Sequence, residues 1–327
     1  MKAAVIVGEG ESKHLEIRDV PLPQPGPTEV GVAVRAIGVN RADLSLNPGH
    51  FRGVGGAPTA PIAGLEMAGK VVATGPGVMG VKIGDRVMAM AARAYAEYAT
   101  VDYRLLIPLP PDWSWEAAAA SPVALMTAHD AVLTNGRMAP GNTVLIQGAS
   151  TAVGITAVQI AKMRGAKTVI GTSTSPAKLE RLGTLGMDYG IDLNREDFAA
   201  RVLELTGDHG ADVIIDHIGG SALAGNMRCA AILGRIVNVG RMGGLKGEID
   251  LDLLSLKRLS LIGVTFRTRS VAEIADLIAR MKNDLWAEVL AGRLHPPLDR
   301  TFPLDEAAGA LAFMKSNAHF GKIVLTT

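Results

Sequence analysis

From residue 143 the chain runs through Thr143-Val144-Leu145-Ile146, then a glycine-bearing turn, Gly148-Ala149-Ser150-Thr151-Ala152-Val153-Gly154, then a stretch of helical period ending at Arg164. An apolar strand that turns straight into a helix constrains the fold, because a helical crossover leads to a parallel strand and a parallel sheet must be covered on both faces. The following sequence meets that demand. Residues 168–171, 213–216, 235–239 and 259–264 are each mostly apolar or β-branched, as buried parallel strands are. Helical segments lie between most of them. Ser175 reads as an N-cap with Pro176 at the first helical position, and Asn194 reads as the cap of a helix carrying Phe198, Val202 and Leu205 on one face. The alternation predicts a doubly wound parallel sheet.

Within it, residues 144–178 read as a Rossmann-type βαβ unit. Only Gly154 clearly keeps a glycine of the G-x-G-x-x-G pattern, with Ala149 and Thr151 at the other two positions. The strand before and the helix after give the turn its meaning: N–H groups at Ala152, Val153 and Gly154, with the helix dipole, are placed to hold a pyrophosphate. The hydroxyls of Ser150 and Thr151 have two readings, a phosphate contact or a bond to local backbone. The second strand ends Gly171-Thr172-Ser173-Thr174 without the Asp or Glu that bonds an NAD ribose, and Lys178 follows on the next helix. Together Thr172, Ser173 and Lys178 point to a 2′-phosphate and hence NADPH; Lys178 alone reads equally well as a solvated helix-start lysine.

The first third of the chain has a different texture. Gly and Pro break it into short β-branched runs at 3–7, 30–36, 70–74, 85–90 and 95–101, which predicts an irregular, strand-rich domain. The proline-rich segment 21–27 reads as an extended connector. After residue 270 mixed helices lead to a strand-like Lys322-Ile323-Val324-Leu325, expected to rejoin the first domain. The expected division is therefore residues 1–122 and 267–327 around an inserted dinucleotide domain at 123–266.

Bulk properties narrow the partners. Lys and Arg total 33 against 32 for Asp and Glu, so the balance offers no electrostatic footprint for nucleic acid or an anionic membrane. Cys229 is the single cysteine, which excludes an internal disulfide framework, a Cys-rich zinc lobe and an iron–sulfur cluster, and suits a reducing cytoplasm. The N-terminal apolar run is too short for a signal peptide. The most apolar stretch, 117–128, is interrupted by Ser121 and Pro122, well short of the ~20 residues that span a bilayer. A soluble cytoplasmic protein is expected.

Beyond the turn, a series of short strings covers the whole chain: Gly38-Val39-Asn40-Arg41-Ala42-Asp43-Leu44, Gly64-Leu65-Glu66 leading to Gly69-Lys70-Val71, Gly84-Asp85-Arg86-Val87, and Gly321-Lys322-Ile323-Val324-Leu325. In order and spacing they resemble the medium-chain dehydrogenase/reductases, specifically their zinc-independent, zeta-crystallin-like quinone oxidoreductase branch. The resemblance implies an α/β protein in which a GroES-like, β-rich catalytic domain is joined to a Rossmann doubly wound parallel sheet. Zinc-dependent members hold the metal with a cysteine where this chain has Asn40 and a histidine where it has Leu65, so no metal is expected. Without a Lewis acid to stabilise an alkoxide, an electron-poor acceptor that takes hydride readily is the better substrate.

The resemblance also supplies site residues. It places Asn40 and Asp43 beside nicotinamide and substrate, Thr127 near the nicotinamide or its phosphate, and Gly240-Arg241-Met242 against the carboxamide; the closing strand brings Lys322 to the cofactor. As plain structure, Asn40 reads as a turn residue and Asp43 as a helix-cap residue. Where relatives carry a tyrosine lining the quinone pocket this chain has Phe51, preceded by His50, which is an alternative proton donor or a loop histidine. His217, at the end of a sheet strand, either faces the cofactor or packs at the strand end. Leu193 stands where some relatives stack a tyrosine on adenine. Arg267 and Arg269 are candidates for cofactor phosphates or for the solvated surface.

The implied activity is NADPH-dependent quinone reduction. The alternatives are reduction of an enone or enoyl thioester, for which Arg52 and Arg93 are the scattered candidates for coenzyme A phosphates, and a non-catalytic NADPH-binding role, for which the alanine-rich 89–92 stretch would narrow the site. The apolar strand 259–266 would leave an exposed sheet edge, so a homodimer through it is expected.

Overall fold

The computed structural model describes residues 1–46 and 61–327. His50, Phe51 and Arg52 lie outside the described residues. The chain forms two compact units: residues 1–124 with 266–327, and residues 125–265.

In the second unit, six parallel strands among the described residues run in the order Tyr189–Asp192, Thr168–Ser173, Thr143–Gln147, Ala211–Asp216, Ala230–Asn238, Ser260–Gly263. The order reverses between Thr143–Gln147 and Ala211–Asp216. At such a reversal the helices leave toward opposite faces and a crevice opens at the carboxyl ends of the strands. Leu145, Ile170, Ile191, Ile214 and Ile236 come from five of these strands and pack with Val202 and Met227 in one core, with Phe198, Leu203 and Leu205 partly buried against it. The helix Phe198–Thr206 thus buries the face predicted for it.

Its cap differs from expectation. Asp197, not Asn194, is the N-cap, its carboxylate accepting from Ala199 and Ala200 N–H groups. Asn194 instead donates to the Thr174 carbonyl at 2.7 Å and to Asp192 at 2.9 Å, stapling one sheet turn to the next. The strand Tyr189–Asp192 was also absent from the sequence reading: with Gly190 inside and only Ile191 and Asp192 buried, it lacks a continuous apolar run. Pro176 opens its helix with Ser175 at the N-cap as predicted, although the Ser175 hydroxyl makes no capping bond.

In the first unit, the long strand Glu29–Val39 is central. It pairs antiparallel with Glu66–Thr74, with Tyr98–Asp102 and with the closing strand Lys322–Thr326. The last of these joins the chain's end to its beginning, Ile323 opposite Val39. Residues 21–26 contribute to no ladder, as their prolines dictate. The apolar stretch 117–128 is two short helices, Trp115–Ala119 and Pro122–His129, parted at Ser121. No helix among the described residues is long and apolar enough to cross a membrane.

Candidate active site

The strand Thr143–Gln147 turns at Gly148, whose φ of +66° is open to glycine at little cost. The helix Ala152–Met163 begins after Thr151, whose hydroxyl accepts the Gly154 N–H at 3.0 Å. The hydroxyl thus makes the local bond as an acceptor and keeps its own proton for a second partner. A Cβ at Gly154 would meet the Ala149 carbonyl oxygen at 2.7 Å and the Gly148 carbonyl oxygen at 2.8 Å, so glycine is what lets the helix start pack this closely on the turn. The first N–H groups of a helix have no partner within it. Those at Ala152 and Val153 stand at the carboxyl edge of the sheet, and Ser150 is half-buried beside them.

A buried polar chain holds this turn in place. Thr172 is fully buried; its hydroxyl accepts the Gly148 N–H at 3.0 Å and donates to Gln147 Oε1 at 2.8 Å. Gln147 in turn donates to Asn226 Oδ1 at 2.8 Å. Thr172 thus shapes the loop from beneath, and its hydroxyl is already engaged on both sides. Ser173 accepts from the Ser175 N–H at 3.1 Å, and Lys178 is half-buried in the first turn of the helix Pro176–Gly183.

A second loop comes from the end of the strand Ala211–Asp216. One Asp216 oxygen accepts both the Ile218 and Gly219 N–H groups, at 2.8 and 2.9 Å, while its backbone carbonyl accepts from Val239 and Gly240. This one residue ties residues 217–219 to the loop at 240–242. His217, 5% exposed, bonds through Nδ1 to the Gln147 carbonyl at 2.8 Å, so Nδ1 carries the proton. Burial holds its imidazole below the ordinary pKa range, and Nε2 has no hydrogen-bond partner among the described residues. Arg241 and Met242 are exposed, and Leu193 is half-buried, its N–H bonded to the Ser173 carbonyl. Thr127 is buried on the helix Pro122–His129.

In the first unit the candidate residues converge on Glu66, which is fully buried. Its Oε1 accepts from the Lys322 ammonium and, at 2.8 Å, from Asn40 Nδ2; Oε2 accepts the Val123 N–H at 2.8 Å. Lys322 also donates to Asn40 Oδ1 at 2.8 Å and to the Val39 carbonyl at 3.1 Å. Three partners match all three of its protons, and the ammonium holds Asn40 Oδ1 from behind. Asp43, on the short helical turn Arg41–Ser45, accepts the Asn40 N–H at 2.8 Å and the Tyr95 hydroxyl at 2.9 Å, both at Oδ2. Burial pushes its carboxyl up to about 7, and burial also lifts the Tyr95 phenol well above its usual range. Arg267 is exposed, whereas Arg269 lies with its guanidinium carbon 5.3 Å from the centre of the Phe266 ring.

Sequence reasoning gave no role to Glu66, Tyr95, Gln147 or Asp216. A signal existed for three of them: Glu66 directly precedes the apolar Met67-Ala68-Gly69 that opens its strand, and Gln147 and Asp216 each end a strand directly after an apolar run. Tyr95 carried none, since its role depends on a partner 52 positions away.

A quinone oxidoreductase from Pseudomonas syringae superposes over 100% of both chains, with a TM-score of 0.88 and 30% identity. The chain belongs to the medium-chain dehydrogenase/reductase superfamily. Two family models match this superfamily member, the alcohol dehydrogenase GroES-like domain over residues 26–111 and the zinc-binding dehydrogenase over residues 152–283. It is an NAD(P)-dependent oxidoreductase with a GroES-like β-rich domain and a Rossmann sheet.

An Escherichia coli quinone oxidoreductase complexed with NADPH aligns over 100% of this chain and 99% of its own, at 25% identity and a TM-score of 0.87. The CurK enoyl reductase aligns over 95% of each chain, at 26% identity and a TM-score of 0.80. Among curated proteins, a phenolphthiocerol/phthiocerol polyketide synthase subunit of Mycobacterium tuberculosis is 32% identical over 97% of this chain. The chain spans only 14% of the length of that subunit.

The name of the second family model implies zinc, and the residues present do not fit it. Asn40, at the position matched to the cysteine ligand, has its amide bonded to Glu66, Gly38 and Lys322, with a cation already seated in the cluster. Leu65, at the position matched to the histidine ligand, offers no donor atom and is buried.

Proposed function

We propose that this oxidoreductase reduces a quinone with NADPH, without zinc. The observation that carries the reading is the Lys322–Glu66–Asn40 cluster, in which an ammonium and an amide replace the metal-ligand chemistry of the matched positions. When bound, NADPH supplies the hydride. The N–H groups at 152 and 153 would hold its pyrophosphate, with the Gly154 N–H spent on the Thr151 cap, Ser173 and Lys178 its 2′-phosphate, and Thr127 with Gly240, Arg241 and Met242 its nicotinamide end, with Arg267 a further phosphate candidate. The NADPH-complexed Escherichia coli relative and the acid-free strand end at Ser173 support the choice of cofactor.

Asn40, whose two amide N–H groups go to Glu66 and Gly38 and whose Oδ1 accepts from Lys322, would shape the acceptor site as a fixed wall rather than as a donor. Asp43 keeps a proton up to about pH 7; with Oδ2 taking two donors, that proton rests on Oδ1. A second reading, reduction of the double bond of an enone or enoyl thioester, is favoured by the likeness to the CurK enoyl reductase and the polyketide synthase subunit. The test is NADPH oxidation by the purified protein against quinones, enones and enoyl thioesters. Fastest turnover with quinones supports the proposal; turnover with an enoyl thioester alone selects the second reading; binding without turnover above buffer leaves a non-catalytic NADPH protein.

The strand Ser260–Gly263 lies at an edge of its sheet with Leu261 exposed, and we assign a homodimer to this edge. A monomer by light scattering rejects it.

A further inference from the structure

His217 has an acceptor with nothing to accept. A carbonyl cannot donate, so the bond from His217 to the Gln147 carbonyl fixes the proton on Nδ1 and leaves a lone pair on Nε2. That nitrogen is buried and has no hydrogen-bond partner among the described residues. Buried polar atoms are rarely left so, because desolvation without a partner costs free energy that a ligand's donor would recover. The surroundings are those of a binding loop rather than of a packed core. The His217 Cβ lies 3.6 Å from where a Cβ on Gly148 would stand, and its own carbonyl accepts the Met242 N–H at 3.2 Å. A Cβ on Gly240 would come within 2.5 Å of that same carbonyl oxygen, so the backbone of the second loop is pressed against this histidine. His217 therefore sits where the phosphate turn and the 240–242 loop meet, at the carboxyl edge of the sheet.

We propose that His217 Nε2 accepts a hydrogen bond from an N–H or O–H donor on the nicotinamide riboside half of the bound dinucleotide. The inference rests on the dinucleotide reading above. It makes His217 a residue that orients the reacting half of the cofactor by a neutral acceptor, and the Gln147–Thr172–Gly148 chain serves to hold its ring as well as the turn. Two donor classes share this chemistry, the carboxamide N–H and the ribose hydroxyls.

The test is long-range 15N–1H spectroscopy on the full chain with 15N-labelled histidine, the His217 signal being the one absent from His217→Gln. The free protein should show the Nδ1–H tautomer with an unbonded Nε2. Saturation with NADP+, followed by calorimetry on the same sample, should move the Nε2 resonance in the direction of hydrogen-bond acceptance. The 3-acetylpyridine analogue, which has no carboxamide N–H, separates the donors: a shift with NADP+ alone identifies the carboxamide, and a shift with both identifies a ribose hydroxyl. His217→Gln is expected to weaken NADP+ binding roughly five- to tenfold, the scale of one lost hydrogen bond. NADP+ binding with an unmoved Nε2 resonance overturns the proposal while leaving the dinucleotide reading intact. Absence of any NADP+ binding overturns both.

Discussion

The ammonium of Lys322 and the carboxylate of Glu66 meet inside the β-rich unit, 256 positions apart in sequence, each almost fully withdrawn from water. A buried pair of this kind is fragile to the loss of one partner, because the survivor is left as an uncompensated charge. Lys322→Met is expected to destabilise the unit by about 3–5 kcal/mol. Adding Glu66→Gln should restore much of that. Urea denaturation of the two single variants and the double variant checks the coupling; additive losses would show that the pair is not a unit.

Asp43 makes stability depend on pH with a sign opposite to that of an ion-paired carboxylate. Its folded value, raised by burial to about 7, lies above the ordinary 3.8. Between about pH 4 and pH 7 the unfolded chain has released this proton and the folded chain has not. Stability contributed by the group therefore falls as pH rises through that window and levels off above it, by a difference on the order of 4 kcal/mol. Asp43→Asn, which can still accept from Asn40 and Tyr95 with its amide oxygen, should flatten this slope in denaturation curves taken from pH 4.5 to 8.

Thr172 and Lys178 should part company when mutated. Thr172→Val strips the Gly148 N–H and Gln147 Oε1 of their partner, costing about 1–3 kcal/mol of stability. It should leave the ratio of NADPH to NADH affinity unchanged, since the hydroxyl faces inward. Lys178→Ala should do the reverse, lowering NADPH affinity with little effect on NADH or on melting temperature. Titrating both cofactors against both variants decides the matter, and equal affinities in the unmodified protein would remove the argument for a 2′-phosphate site.

Gly154→Ala places a methyl group within 2.7–2.8 Å of backbone atoms of Gly148 and Ala149 that cannot swing aside. Overpacking of this kind costs about 1–3 kcal/mol. Because the strain falls on the turn itself, NADPH affinity should drop along with the melting temperature. A variant that melts lower but binds normally would show that the turn does not shape the cofactor site.

Cys229 should be chemically silent. Burial raises its thiol to about 12, so almost no thiolate is present near neutral pH. A chromogenic disulfide reagent is expected to titrate no thiol in the native protein and one in 6 M guanidinium chloride. Rapid labelling in the native state would contradict the buried position.

Local sequence carried the periodicities. Five of the six strands of the parallel sheet, the Pro176 helix start and the close of the chain on Lys322-Ile323-Val324-Leu325 are legible, because apolar spacing and cap chemistry act over a few residues; Tyr189–Asp192, with no continuous apolar run, is not. The family strings were legible for the same reason, each being local. Tertiary structure alone decided how side chains share partners. Thr172 gives its hydroxyl to Gly148 and Gln147 beneath the loop, and Lys322 its protons to Val39, Asn40 and Glu66. Asn194 lost its helix cap to Asp197 because the helix starts only at Phe198, and its amide goes to Thr174 and Asp192 instead. Spacing determines which face of an element a residue occupies, whereas the partner a polar group finds there depends on chain segments folded in from tens or hundreds of positions away.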